Sequence, residues 1–240
     1  MKATSGADPD SLVISARDLR KTYHTTPAVV ALRGVDIDVA AGERVVISGR
    51  SGAGKSTLLN ILGLLDTATS GSYMLLGHDT AATDKSGRDR LRAQALGFVF
   101  QENHILGHRT AAENVDLTLS ISRVPRGERA DLIDQALARV GLVHRRDALA
   151  RLLSGGEKQR LAVARAMVNH PRVLLADEPT GNLDDDNAQQ VLELFDTHAA
   201  TGVAVVVISH DIRLSAWADR ALCLVDGTLV ENVAAPGGAA

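Results

Sequence analysis

The sequence predicts an α/β protein: a mainly parallel β-sheet covered by helices, with a helical insertion in the middle. Three observations carry this. Apolar runs at 43–48, 173–177 and 203–209 are each followed by a segment of helical pattern, and strands alternating with helices build parallel sheets. The run at 43–48 stops on a glycine, as a strand buried on both faces does. The stretch 84–152 between them is charged and mostly helical in pattern.

The elements follow in order. Strands are expected at 12–16, 35–39 and 43–48, a helix at 54–65 and a strand at 71–77. A strand at 97–100 falls within the charged middle. Residues 126–140 place Leu132, Ile133, Ala136, Leu137 and Val140 on one helical face. From 153 the expected order is helix 156–168, strand 173–177, helix 187–198, strand 203–209 and helix 212–218. A hairpin closes the pattern, with strands 221–224 and 228–231 turning on Asp226-Gly227. Segments 1–10 and 233–240 are rich in Ala, Gly, Ser or Pro without apolar periodicity, and are expected to be loose. One domain is expected over 11–232, with a helical subdomain inserted at about 84–160.

Composition narrows the function. The 240 residues are ample for a buried core, and 45% apolar with 23% charged is ordinary for a globular protein. Three Phe, two Tyr and one Trp leave the core to Val, Leu, Ile and Ala. So few rings argue against a stacking platform for single-stranded nucleic acid. The net charge of −3 supplies no basic footprint for nucleic acid either. A single cysteine, Cys223, rules out an internal disulfide framework and fits a reducing cytoplasm. The longest apolar run, 203–208, is far short of the roughly 18–20 residues a spanning helix needs. Residues 1–10 carry no apolar signal core. Work at a membrane therefore calls for a second chain that supplies the spans.

Gly49-Arg50-Ser51-Gly52-Ala53-Gly54-Lys55-Ser56 matches the phosphate-loop pattern G-x-x-x-x-G-K-[ST], after an expected strand and before an expected helix. The glycines let consecutive N–H groups point at phosphate oxygens, and the helix N-terminus adds partial positive charge. Lys55 reaches the β- and γ-phosphates and the Ser56 hydroxyl ligates Mg²⁺ in such a loop. Gly49, Ser51, Gly52, Ala53, Gly54, Lys55, Ser56 and Thr57 are the expected nucleotide contacts. Further on, the apolar strand 173–177 ends in Asp177 and Glu178. Ligands bind at the carboxyl ends of parallel strands. Asp177 is placed to hold Mg²⁺ and Glu178 to polarise the water that attacks the γ-phosphate.

Leu153-Ser154-Gly155-Gly156-Glu157-Lys158-Gln159-Arg160 closely resembles the signature motif of ATP-binding cassette (ABC) ATPases. Other marks of that family follow in order. Gln101 resembles the Q-loop glutamine, Gly181-Asn182-Leu183-Asp184 the D-loop and His210 the switch histidine, while Tyr23 lies where the family places an aromatic against adenine. The resemblance covers about 12–232 and implies a P-loop ABC ATPase core with an antiparallel β subdomain and the inserted helical subdomain. It implies ATP and Mg²⁺, with Ser56, Gln101 and Asp177 at the metal and Glu178, His210 and Gln101 in catalysis. It also implies a head-to-tail dimer with a second copy, in which Ser154, Gly155, Gly156, Glu157 and Asp184 join the nucleotide site. One departure stands out: Glu157 replaces the commonest glutamine, and an ionised glutamate accepts hydrogen bonds but donates none.

Within the family, Gly97-Phe98-Val99-Phe100-Gln101, Glu113-Asn114-Val115 and the run 176–184 look most like one bacterial subfamily. It holds the ATPases of lipoprotein release, macrolide and peptide export, haem export and the cell-division cassette. That resemblance implies two integral membrane permease subunits, a place on the cytoplasmic face of the inner membrane, and no role with nucleic acid. It leaves open transport of an amphiphile or, alternatively, regulation of a cell-wall enzyme without transport. Residues 101–115 and the helical middle are expected to form the groove for the permease. Three weaker signals read as structural. Glu102, His104 and His108 are surface groups rather than metal ligands, Arg145, Arg146 and Arg151 form a solvated face, and Phe195, Trp217 and Cys223 fill the core.

Overall fold

The computed structural model describes residues 11–231. The expected loose segments at 1–10 and 233–240 lie outside the described residues. Chain order runs β1 (Leu12–Tyr23), β2 (Val29–Ala40), β3 (Arg44–Ser48), α1 (Lys55–Leu62), β4 (Ser70–Leu75), β5 (His78–Asp79), α2 (Lys85–Ala95) and β6 (Leu96–Phe100). It continues with α3 (Ala111–Ile121), α4 (Arg126–Arg139), α5 (Gly155–Met167), β7 (Val173–Asp177), α6 (Asp185–Ala199), β8 (Ala204–Ile208), α7 (Ile212–Trp217), β9 (Arg220–Val225) and β10 (Thr228–Glu231).

The central sheet has the order β10-β9-β3-β8-β7-β6. All its pairings are parallel except the terminal β9–β10 hairpin. Its inner strands β3, β7 and β8 read as apolar runs because they are covered on both faces, whereas β9 and β10 carry exposed positions. Side chains alternate across a strand, so β8 sends Ala204, Val206 and Ile208 to one core and Val205 and Val207 to the other. The first core lies against α1 and a four-stranded antiparallel sheet, order β2-β1-β4-β5. The second lies against α5 and α6, with Phe195 fully buried. Trp217 is half-buried, 6.3 Å from Phe195 between ring centroids, with the Arg44 guanidinium over its face. Cys223 is only partly buried, so it borders the core rather than filling it.

A third core joins α3, α4 and α5 through Val115, Leu119, Ile133, Leu137 and Leu161. Ile133, Ala136, Leu137 and Val140 are buried as the helical face predicts. Before this cluster forms, the chain returns to the central sheet, where β6 pairs along β7.

Several boundaries differ from expectation, and two of them have identifiable reasons. β1 continues to Tyr23 although 17–23 is nearly all polar. Antiparallel neighbours on both sides hold it, and Arg17 makes a two-pronged ion pair with Asp38 at 2.6 and 2.8 Å. α1 starts at Lys55, not Gly54, because Gly54 has φ +104°. That left-handed geometry suits glycine, and a side chain there would run into the Ala31 carbonyl.

Candidate active site

Parallel pairing puts the carboxyl ends of β3, β8, β7 and β6 along one edge of the sheet. From β3 comes the loop at 49–54, and from β8 come Ser209 and His210. Strand β7 ends on Asp177 and leads to Glu178, while Gln101 follows β6. Register fixes the alignment: Ile47 pairs with Ile208, Ile208 with Asp177, and Asp177 with Phe100. Ile47 and Ile208, 161 positions apart in sequence, thus meet on neighbouring strands.

The Lys55 ammonium donates to the carbonyls of Gly49 (2.8 Å) and Arg50 (3.0 Å), which arches the loop around it. Ser56 and Gly52 are exposed at the loop surface. Glu178 is 14% exposed and sits in left-handed backbone geometry at φ +46°. Its Oε1 lies 2.8 Å from His210 Nδ1, and its Oε2 accepts from the Ser209 hydroxyl at 3.1 Å. The histidine is 75% exposed, so it forms an outer wall beside a largely buried carboxylate. Ser209 is a site residue that sequence reasoning missed, and its place immediately before His210 was the available signal.

Burial, and then the charge of Glu178, push the Asp177 carboxyl above its ordinary 3.8, with Lys55 drawing it back. A raised carboxyl pKa favours the folded state fully below the ordinary value, and that contribution is lost as pH rises through the raised one. At neutral pH the ionised Asp177 therefore destabilises the protein alone. Asp177→Asn is expected to raise the Tm at pH 7 by roughly 1–3 °C, allowing for solvent screening, with the gain gone below pH 3.8. Thermal melts at the two pH values check this; an unchanged or lower Tm at pH 7 would count against it.

Gln101 is exposed, and its amide nitrogen borders Gly181, where an added Cβ would lie 3.4 Å away. Two side chains, the buried Gln159 and the partly buried Arg165, hold the segment around it. Gln159 donates to the Phe100 carbonyl at 3.4 Å, and Arg165 donates to the carbonyls of Asn103 and His104 at 2.7 and 2.8 Å. The His104 ring rests on Phe100 with centroids 5.3 Å apart. Further along, Asn114 is fully buried and holds Leu106 and Thr110 through their backbones. That explains the Glu113-Asn114 pair physically, since Glu113 and Thr110 form a reciprocal cap on α3.

Tyr23 closes the end of β1. Its hydroxyl donates to Asp66 at 3.0 Å and lies 3.4 Å from the Thr57 hydroxyl, and the Lys21 ammonium sits 4.8 Å from its ring centroid. Burial would raise the Asp66 carboxyl, but Lys21, the Thr67 N–H and Tyr23 outweigh it and hold it below the usual range. The ring is thereby tethered beside the first turn of α1.

Residues 154–157 make their contacts elsewhere. Ser154 caps α5: its hydroxyl accepts from the Glu157 N–H (3.2 Å), and Glu157 Oε2 accepts from the Ser154 N–H (2.8 Å). Gly156 is buried where a Cβ would overlap the Asn187 amide of α6. Asp184 caps α6, accepting from the Asn187 backbone at 2.8 Å and from its side chain. Asn187, missed in the sequence, joins the α5 and α6 N-termini, since Arg160 also donates to it at 3.1 Å.

A phosphate loop on a parallel edge, with paired carboxylates and a histidine on adjoining strands, defines a P-loop nucleotide hydrolase. More narrowly, the chain belongs to the ABC transporter family, whose defining pattern matches residues 32–181. It is an ABC ATPase. The lipoprotein-releasing system ATP-binding protein LolD of Pseudomonas fluorescens is 45% identical over 223 residues, covering 92% of this chain and 98% of that protein. The macrolide export ATP-binding/permease protein MacB of Escherichia coli O157:H7 is 40% identical over 221 residues, which is 92% of this chain but 34% of MacB. Among solved structures, the ATP-binding cassette MJ0796, a dimer in a post-hydrolysis state with ADP and Pi, superposes with a TM-score of 0.82. It is 33% identical, and the match covers 91% of this chain and 98% of that one. The expected fold, the ATPase class and the subfamily resemblance all agree with these findings.

Proposed function

We propose that this chain is the motor of a bacterial exporter, using ATP to drive a separate membrane permease that exports or extracts an amphiphile such as a lipoprotein, peptide, drug or haem. The observation that carries this reading is the similarity to a lipoprotein-releasing ATP-binding protein along 98% of that protein. In this reading two chains pack head to tail on two permease subunits at the cytoplasmic face of the inner membrane. No helix among the described residues is long and apolar enough to cross a membrane.

Each residue has a role in the cycle. The loop N–H groups and Lys55 bind the ATP phosphates, Thr57 flanks them, and Tyr23 stacks on adenine. The Ser56 hydroxyl, the Gln101 amide oxygen and the Asp177 carboxylate are oxygen donors, a set that fits a hard divalent cation. The raised Asp177 is a carboxylate that gains from a cation beside it. Bound there with ATP, Mg²⁺ would draw off charge on the phosphate oxygens. Glu178 orients and deprotonates the attacking water, and His210 steadies Glu178 and the γ-phosphate. On closure, Ser154, Gly155 and Gly156 present their N–H groups and hydroxyl to the other chain's γ-phosphate, with Glu157 and Asp184 at its margin.

A groove of ≈ 710 Å³ lies between α2, β6, α3 and α5. None of residues 101–115 lines it; Arg90, Phe98, Ile121, Arg123 and Arg165 do. Ile121 is 68% exposed. Apolar surface with an excess of arginine suits a cytoplasmic permease segment bearing acidic and apolar side chains. Because Arg165 also grips the backbone of Asn103 and His104, load on the groove reaches Gln101 through one side chain.

The transport reading is tested by purifying the chain with its permease and adding candidate amphiphiles. ATP turnover should rise with the cognate molecule. A complex that ignores all amphiphiles but binds a cell-wall hydrolase would overturn it in favour of signalling. Shared sites are tested by mixing Lys55→Ala and Ser154→Arg chains. The mixed dimer keeps one intact loop facing one intact signature, so activity should appear above that of either chain alone, and no increase would defeat the shared-site arrangement.

A further inference from the structure

We infer that Arg145 supplies the hydrogen-bond donors of the signature toward the partner chain's nucleotide, in place of a glutamine at position 157. The inference rests on the head-to-tail closure proposed above. Its starting point is the chemistry of Glu157. One carboxylate oxygen accepts from the Ser154 N–H at 2.8 Å, and the other accepts from Arg145 Nε at 2.9 Å. The side chain is 13% exposed. The Ser154 N–H and Arg145 hold its carboxyl below the usual range, against burial. Glu157 is therefore an ionised acceptor with both oxygens engaged. On its own it sets a negative charge at the helix end that must meet a polyanionic nucleotide, and it has no proton to donate.

Arg145 answers both difficulties. It reaches in from the turn Val143–Arg145, twelve residues before Glu157, and its charge neutralises the carboxylate. Only Nε is used, so the two terminal nitrogens are without a hydrogen-bond partner among the described residues. The side chain is 44% exposed, so these donors lie at the surface beside the signature. A guanidinium there offers a flat, charged fork to ribose hydroxyls or phosphate oxygens. The neighbouring Arg146 does something else, pairing with Asp134 and Asp147. The expectation of a plain solvated arginine face therefore holds for exposure, but misses the pairing of Arg145 with the signature.

The test uses the full chain carrying Glu178→Gln, in which ATP-driven dimers accumulate, with dimerisation followed by sedimentation against protein concentration. Adding Arg145→Ala should move the midpoint to about 10-fold higher concentration or more, the loss that a hydrogen bond to a charged group carries. Arg145→Lys should keep the charge and recover only part. Adding Glu157→Gln to Arg145→Ala should recover most, because it removes the uncompensated charge and returns a donor. A urea melt of each variant separates a donor role from a folding defect, because a donor role shifts the dimer midpoint without a matching loss of monomer stability. An unshifted midpoint for Arg145→Ala, or a shift that Glu157→Gln fails to relieve, would overturn the role of Arg145. A Glu178→Gln parent that stays monomeric with ATP would instead overturn the closed dimer itself.

Discussion

Replacing Glu178 with glutamine is expected to lower ATP turnover by roughly 100- to 10,000-fold, the contribution of a positioned general base, while ATP still binds. The argument begins with position. Glu178 follows a strand buried from Val173 to Ala176, and its carboxylate is fixed from two sides, by the Ser209 hydroxyl and the His210 ring. Glutamine keeps the size and the oxygen that accepts from Ser209, but it cannot take a proton from water. It also removes one of two adjacent carboxylates, and so relieves the charge that raises Asp177. The variant should thus fold at least as well as the parent. It should hold ATP and accumulate as a closed dimer, because in the proposed closure the unhydrolysed γ-phosphate continues to bridge the two chains. Steady-state ATPase assays with sedimentation in ATP read both effects. Full turnover in the variant would remove Glu178 from the mechanism.

Lys55→Ala should weaken ATP binding by about 10- to 100-fold, matching the loss of charge-assisted hydrogen bonds to phosphate. The ammonium now donates to two carbonyls of its own loop. Water can take over at those partly exposed atoms, so the loss of folding stability should stay near ~0.5 kcal/mol. Equilibrium binding of a fluorescent ATP analogue, beside a urea melt, distinguishes the two. Unchanged affinity would contradict the phosphate-loop assignment.

Much of this was legible along the chain. The loop at 49–56, the strand ending in Asp177-Glu178 and the signature at 153–160 are each contiguous. Their chemistry depends on neighbours a few residues away, so a linear reading finds them. The central strands were legible for the same reason: each is an apolar run bounded by turn residues. The second half of β1 was not, because residues 17–23 carry no periodic pattern. They are strand only because β2 and β4 pair with them. The start of α1 was not legible either, because a glycine at φ +104° looks the same in sequence as one in a helix.

The sequence by itself determined that the chain is an ABC ATPase, which binds a nucleotide and hydrolyses it. Motif chemistry and composition are local properties, and folding does not change them. Tertiary structure alone decided which groups meet. Strand order β3-β8-β7-β6 departs from chain order, and that shuffle brings His210 onto Glu178. Tyr23 finds Asp66 across 43 positions, Gln159 finds Phe100 across 59, and Arg145 finds the glutamate that stands where the family's commonest signature has glutamine. These pairings come from packing between elements distant in sequence, whose relative placement no local pattern encodes.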